Sequence, residues 1–263
     1  MKKNWDYEAS KVWPMLVKAA SEQRTLYYQE IANEIGTNAL SVGYALYPIA
    51  VYCENEGIAP LTSIVINQST KKPGNGFLRI WGNNYQEAIS LAFQKDWSLI
   101  ENPFASFTTS DSIDSLSNEI LSRPEKSKEV FSRIKSRGVA QQVFRKALMK
   151  AYGSRCAICQ CSLEDVLEAS HIIPWAASNP EQKIDPRNGI LFCSNHHKLF
   201  DKFIFTVGQE YQIIVDPEGK ADKAAINDNI HLLQLDRNKI HLPESLAVWP
   251  SLEYLAVHSN SVV

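Results

Sequence analysis

Apolar residues recur at helical spacing through Trp5–Ala20, Tyr28–Ile35 and Ala39–Cys53. Gly36-Thr37-Asn38 interrupts the last two, and Thr37 or Asn38 is placed to cap the helix that follows. Two helices so closely spaced have helix-turn-helix spacing. The period then shortens. Leu61–Asn67 predicts a strand, Ser69–Gly76 a basic, glycine-rich loop, and Phe77–Trp81 a returning strand. A helix-turn-helix followed by a basic hairpin predicts a winged-helix-like DNA-recognition domain over residues 1–100, with Lys71 and Lys72 as DNA-binding cations.

Residues 101–128 are rich in Ser, Thr, Asn, Asp and Pro and predict a linker with one helical turn near Ile113–Leu121. Residues 129–263 make a second domain. Helical period returns over Glu129–Tyr152, with Val143, Phe144, Ala147 and Leu148 on one face. Arg145 and Lys146 lie beside that face as candidate phosphate contacts, with a solvated helix surface as the alternative. Leu167–Ile173 predicts a strand ended by Pro174, Asn188-Gly189 a turn, Ile190–Phe192 a second strand, and His196–Asp201 the start of a helix. Phe203–Val207 and Tyr211–Val215 flank Gly208-Gln209-Glu210 as a hairpin, and a mixed tail follows in which His241 and His258 are expected to be structural. The fold class is α+β: an N-terminal helical, winged-helix-like domain joined by a linker to a second domain of mixed helix and strand.

The chemistry concentrates between Cys156 and Asp201. Cys156-x2-Cys159 and Cys193-x2-His196, separated by 33 residues, have the spacing of one tetrahedral, structural zinc site. Cys161 offers an alternative knuckle of poorer spacing. Through the same segment runs a second set, His171, Asn188, His197 and Asp201. His197 and Asp201 are four residues apart, so both leave one helix face and can share a cation. Asp201 has the alternative of pairing with Lys198 or Lys202. Glu168 reads as an exposed strand residue, or as a group behind the metal ligands.

Residues 138–206 resemble the HNH (ββα-metal) endonucleases, and within them the bacterial restriction-type branch. The resemblance rests on Gly138-x2-Gln141-x2-Phe144-Arg145, Tyr152-x3-Cys156-x2-Cys159, Leu167-Glu168-Ala169-Ser170-His171-Ile172, Asn188-Gly189-Ile190-Leu191 and His196-His197-x2-Phe200-Asp201. It implies His171 as general base, His197 as metal ligand, and Asn188 as a loop clamp that keeps His171 oriented. Asp201 stands where colicin-type relatives carry a second helical histidine ligand. One departure is Ser170, where many HNH enzymes place a ligating Asp or His, so Asp201 is expected to supply the carboxylate for a catalytic Mg²⁺ or Mn²⁺. More weakly, Tyr28-x-Glu30-Ile31-Ala32-x2-Ile35-Gly36, Val42-Gly43-x-Ala45-Leu46 and Gly74-x-Gly76-Phe77 resemble the DNA-binding domain of alkylguanine alkyltransferases and alkyltransferase-like proteins. Their reactive cysteine has no counterpart at Pro60-Leu61-Thr62-Ser63, so alkyl transfer is not expected and Cys53 reads as a core residue. The alternative for residues 28–56 is a helical hairpin serving oligomerisation.

Charge refines this picture. The 263-residue chain has a net charge of −2, which does not advertise a nucleic-acid partner. Residues 137–205, however, carry 9 basic against 6 acidic side chains, the one positive segment of the chain. No run of about 18 apolar residues predicts a membrane span, and the first residues lack an apolar signal core. A cytoplasmic protein whose cysteines bind metal is therefore expected. The expected function is metal-dependent DNA endonuclease activity in restriction or defence, with DNA as partner and a homodimer or sequential nicking needed for a double-strand break. A nonspecific nuclease effector or toxin, and a catalytically inactive zinc-containing DNA-binding regulator, are the alternatives.

Overall fold

The computed structural model describes residues 3–81, 84–134, 137–216 and 230–260. The chain divides into two compact units, Met1–Ser115 with Arg133–Val139, and Leu116–Ser132 with Ala140–Val263. Helices and small two-stranded sheets alternate through it, an α+β architecture.

In the first unit, α1 (Trp5–Ser21) is capped by Asn4, whose side chain accepts from the Tyr7 N–H at 3.2 Å. It buries Ala9, Val12, Trp13, Leu16, Ala19 and Ala20, and packs on α3 (Val42–Asn55). Trp13 sits among Tyr52, Trp97 and Phe104, with ring centroids 5.4, 6.0 and 6.4 Å away. Helix α2 (Tyr28–Glu34) precedes α3, and Asn38 accepts from the Ser41 N–H at 3.0 Å in the turn between them. Cys53 is buried on α3, and burial pushes its thiol up to about 11.

Two expectations for this unit are corrected. Leu61–Ile64 is a 3-10 turn, and only Val65–Ile66 is strand (β2), paired in parallel with β1 (Leu26–Tyr27). Phe77–Trp81 is not a strand but belongs to α4 (Asn75–Trp81), and α5 (Tyr85–Gln94) follows. Phe77 and Trp81 stack at 6.1 Å, a meeting one helical turn allows. In a strand, residues four apart stand about 13 Å from each other. The basic loop itself is present. Asn67 N–H donates to Lys72 O at 2.8 Å, Ile66 bridges Pro73, and Gly74 N–H donates to the Tyr28 hydroxyl at 3.0 Å.

The polar stretch expected to be a linker holds two buried aromatics. Phe104 and Phe107 are buried in the core of the first unit, and Asn102 donates to Ser10 O at 2.7 Å. A ten-residue α6 (Ile113–Ser122) stands where one turn was expected. Helices α7 (Ser127–Arg133) and α8 (Arg137–Ala151) follow.

The second unit is organised by the antiparallel hairpin of β3 (Leu167–His171) and β4 (Gly189–Cys193), in register from Leu167↔Cys193 to His171↔Gly189. Its faces have different neighbours. Glu168, Ser170 and Phe192 face α9 (Ser194–Asp201), where Phe192 meets Phe200 at 5.4 Å. His171 faces α8, its ring 4.0 Å from that of Phe144. Gly189 is extended, not a turn residue (φ −143°); a Cβ there would stand 2.5 Å from Leu148 Cδ1 and from Phe144 Cζ. Strands β5 (Phe205–Val207) and β6 (Ile213–Val215) form the expected hairpin, with Phe205 against Phe192 and Phe200. Helix α10 (Ile230–Leu235) and α11 (Leu252–Asn260) complete the unit.

On α11, His258 is buried, stacks on Phe200 at 3.9 Å and lies 2.9 Å from the Thr206 hydroxyl. Burial lowers its pKa from 6.5 to about 4. The neutral ring is favoured in the fold, so as pH falls from 6.5 towards 4 the unfolded chain takes up a proton that the folded chain refuses. Stability is therefore lost in that window, by up to about 3 kcal/mol at its acid end. His258→Phe keeps the stacking and should flatten the fall in thermal midpoint between pH 6.5 and 4. Parallel melting curves for both proteins check this; identical pH slopes contradict it.

Candidate active site and metal centre

Cys156 and Cys159 lie in the knuckle before β3, Cys193 ends β4, and His196 sits in the first turn of α9. Their ligand atoms all lie within 4.8 Å of one another, the only such convergence among the described residues. Cys159 and Cys193 Sγ are 3.8 Å apart, and His196 Nδ1 is 3.4 Å from Cys156 Sγ and 3.2 Å from Cys193 Sγ. Tetrahedral zinc, with Zn–S about 2.3 Å and Zn–N about 2.0 Å, sets edges of about 3.8 Å between sulfurs and about 3.5 Å between sulfur and nitrogen. The donors and their spacing fit a structural zinc. Burial pushes the Cys156 thiol up to about 12, so it stays protonated unless a cation draws the proton off. Cys161 stands outside the cluster and contributes its carbonyl, which accepts from Cys156 N–H at 2.9 Å. The tail is held to the knuckle, with His241 N–H donating to Ala157 O at 2.7 Å.

His197 follows His196 on α9 and points to β3. Its Nδ1 contacts the Ser170 hydroxyl. Its Nε2 is 3.1 Å from Glu168 Oε2 and 3.3 Å from Asp201 Oδ2. Ser170 is fully buried, so its hydroxyl orients the imidazole. Glu168, which the sequence leaves as an exposed strand residue or a group behind the metal ligands, meets His197 of α9. The signal for this meeting is the alternation of β3, which puts residue 168 on the same face as residue 170. Glu168 and Asp201 thus flank one imidazole nitrogen.

His171 lies on the other face of β3. Its Nε2 is 3.0 Å from the Lys183 carbonyl, which can only accept, so Nε2 carries a proton. Phe144 covers one side of the ring, and Trp175 meets it edge-on at 5.8 Å. Asn188 is fully buried and ties the loop that carries Lys183. It accepts from Ile173 N–H at 2.8 Å and donates to Gln182 O at 2.9 Å, beside Lys183.

The expected phosphate contacts differ in their surroundings. The Arg145 guanidinium donates to Leu167 O, and to Glu164 O at 3.1 Å, bracing α8 against the start of β3. Lys146 is exposed. In the first unit, Lys71 donates to the Tyr27 hydroxyl at 2.7 Å and lies over that ring, and Lys72 lies 5.9 Å over Tyr85. Both lysines are exposed at the loop tip.

Residues 156–208 match the family model described as HNH endonuclease. The segment holds the whole four-ligand cluster, His171, Asn188, His197 and Asp201, and the cluster fits a zinc-binding HNH domain. No curated protein matches the chain. Among the described residues no helix is long and apolar enough to cross a membrane.

The zinc geometry gives a direct test. Elemental analysis should find one zinc per chain. Cys156→Ser should lose it and lower the melting of the second unit by roughly 10 °C or more. Full zinc occupancy with unchanged melting in that variant would remove Cys156 from the site.

Proposed function

We propose that this protein is a metal-dependent DNA endonuclease acting in restriction or defence, with its cutting site on the β3–β4 hairpin. One observation carries the reading. Within the HNH-matching segment, β3 carries His171 on one face, its Nε2 on the Lys183 carbonyl, and Glu168 on the other, where it meets His197 beside Asp201 of α9. The scissile phosphodiester is proposed to lie beside β3, between these two groups.

In this scheme His171 Nδ1 takes the proton of the attacking water, while Lys183 O and Asn188 keep the ring in place. Glu168, His197 and Asp201 would hold the catalytic Mg²⁺ or Mn²⁺, with Ser170 fixing His197 through Nδ1. That cation, when bound, supplies charge neutralisation at the scissile phosphate and the leaving oxygen. One site cuts one strand, so a double-strand break takes two copies of the chain or two successive nicks. The restriction-type resemblance of residues 138–206 supports the defence role.

Nicking of supercoiled plasmid with magnesium or manganese tests the scheme. His171→Ala should slow it by about 10²–10⁴-fold without loss of zinc. Ser170→Ala should raise the divalent-ion requirement by roughly 10–100-fold. Asp201→Ala and Glu168→Gln should each do so as well, since their carboxylates flank His197 Nε2. Wild-type nicking rates in Asp201→Ala at unchanged metal demand would make Asp201 structural. Absence of nicking by any variant or wild type, with DNA binding intact, would favour the inactive regulator.

The first unit is proposed to position DNA through α3 and the Lys71/Lys72 loop. Since Phe104 and Phe107 belong to its core, the test uses the full chain rather than a fragment ending near residue 100. Lys71→Ala with Lys72→Ala should lower the slope of log affinity against log salt by about 2. An unchanged slope moves DNA contact away from this loop and favours the oligomerisation role.

A further inference from the structure

The Lys183 side chain has no part in the scheme above, yet its placement is specific. Its carbonyl holds His171, while its ammonium lies 5.2 Å from the Trp175 ring centroid and 5.7 Å from that of Phe131. Phe131 and Trp175 meet at 6.3 Å, and Trp175 in turn meets the His171 ring edge-on. All these groups belong to the second unit. Among the described residues no carboxylate lies within 4.0 Å of the Lys183 ammonium. Aromatic faces hold a cation without neutralising it. The charge is thus fixed in place, one ring away from His171, and left available to an anion.

We propose that Lys183, braced on Trp175 and Phe131, is a phosphate clamp that seats the DNA strand beside His171. The proposal rests on the nuclease reading for the identity of the anion. Three features favour a backbone phosphate. The surrounding segment is the positive one of the chain. Lysine binds phosphate as a point charge and needs no paired donors. The same residue also orients His171 through its carbonyl, so a phosphate gripped by its ammonium is held in register with the group that would activate water.

The carbonyl and the ammonium can be separated by experiment, because Lys183→Met keeps the backbone and the aliphatic stem. Full-length, zinc-loaded protein is titrated with a fluorescent duplex oligonucleotide at several salt concentrations, without added divalent cation. Lys183→Met should weaken binding by about 5–10-fold and lower the slope of log affinity against log salt by about 0.9, the signature of one lost phosphate contact. Lys183→Arg should restore most of both. In plasmid nicking, Lys183→Met should lower kcat/KM by a similar factor or more. Zinc content and melting temperature serve as the folding check, and Lys183→Gln is judged by the same criteria if Lys183→Met fails it. Unchanged affinity and slope in a folded variant overturn the clamp while wild-type nicking keeps the nuclease reading. A wild-type protein that neither binds nor nicks duplex DNA overturns both.

Discussion

The second unit depends on the meeting of Cys156, Cys159, Cys193 and His196. Two separate stretches of chain meet there: the knuckle before β3, and the end of β4 running directly into the first turn of α9. Closing them on one tetrahedral point fixes where α9 starts and how it is rotated. Neighbouring helix residues point about 100° apart. With His196 turned inward to the thiols, His197 is turned towards β3, where Ser170 and Glu168 meet it. The four-ligand cluster and the contacts of His197 are thus tied together through the geometry of one helical turn.

A second constraint works on the opposite face of the hairpin. Helix α8 approaches β4 so closely that residue 189 has no room for a side chain. That approach lays Phe144 over His171, and Arg145 ties the same helix to the start of β3. The remaining side of the imidazole is set by the loop that Asn188 fastens. His171 is therefore positioned by packing, by a carbonyl and by an aromatic edge, none of them supplied by its own strand.

The first unit is built on other principles. Its centre is the aromatic cluster around Trp13, and the pieces that complete it come from far along the chain, with Phe104 and Phe107 among them. The Lys71/Lys72 loop is held by backbone bonds and by Tyr27 and Tyr28 rather than by a returning strand. The basic tip is retained although the hairpin expected beneath it is replaced by α4.

What was legible in the sequence was whatever depends on spacing within one element. The two x2 knuckles, the four-residue step from His197 to Asp201, the period of α1, α2, α3 and α8, and the β5–β6 hairpin are local patterns, and local backbone geometry is enough to read them. Tertiary structure decided the meetings between elements. Glu168 reads as an exposed strand residue until α9 is laid across β3. Ser170 reads as a missing ligand until His197 is brought to its hydroxyl. Phe104 and Phe107 sit in a polar stretch that composition assigns to a linker, and Phe77–Trp81 satisfies a strand pattern until the two rings are found one turn apart. Gly189 reads as a turn residue, whereas the closeness of α8 is what demands it. In each case the deciding interaction joins residues whose separation along the chain carries no periodic signal, so only the packed structure can bring it out.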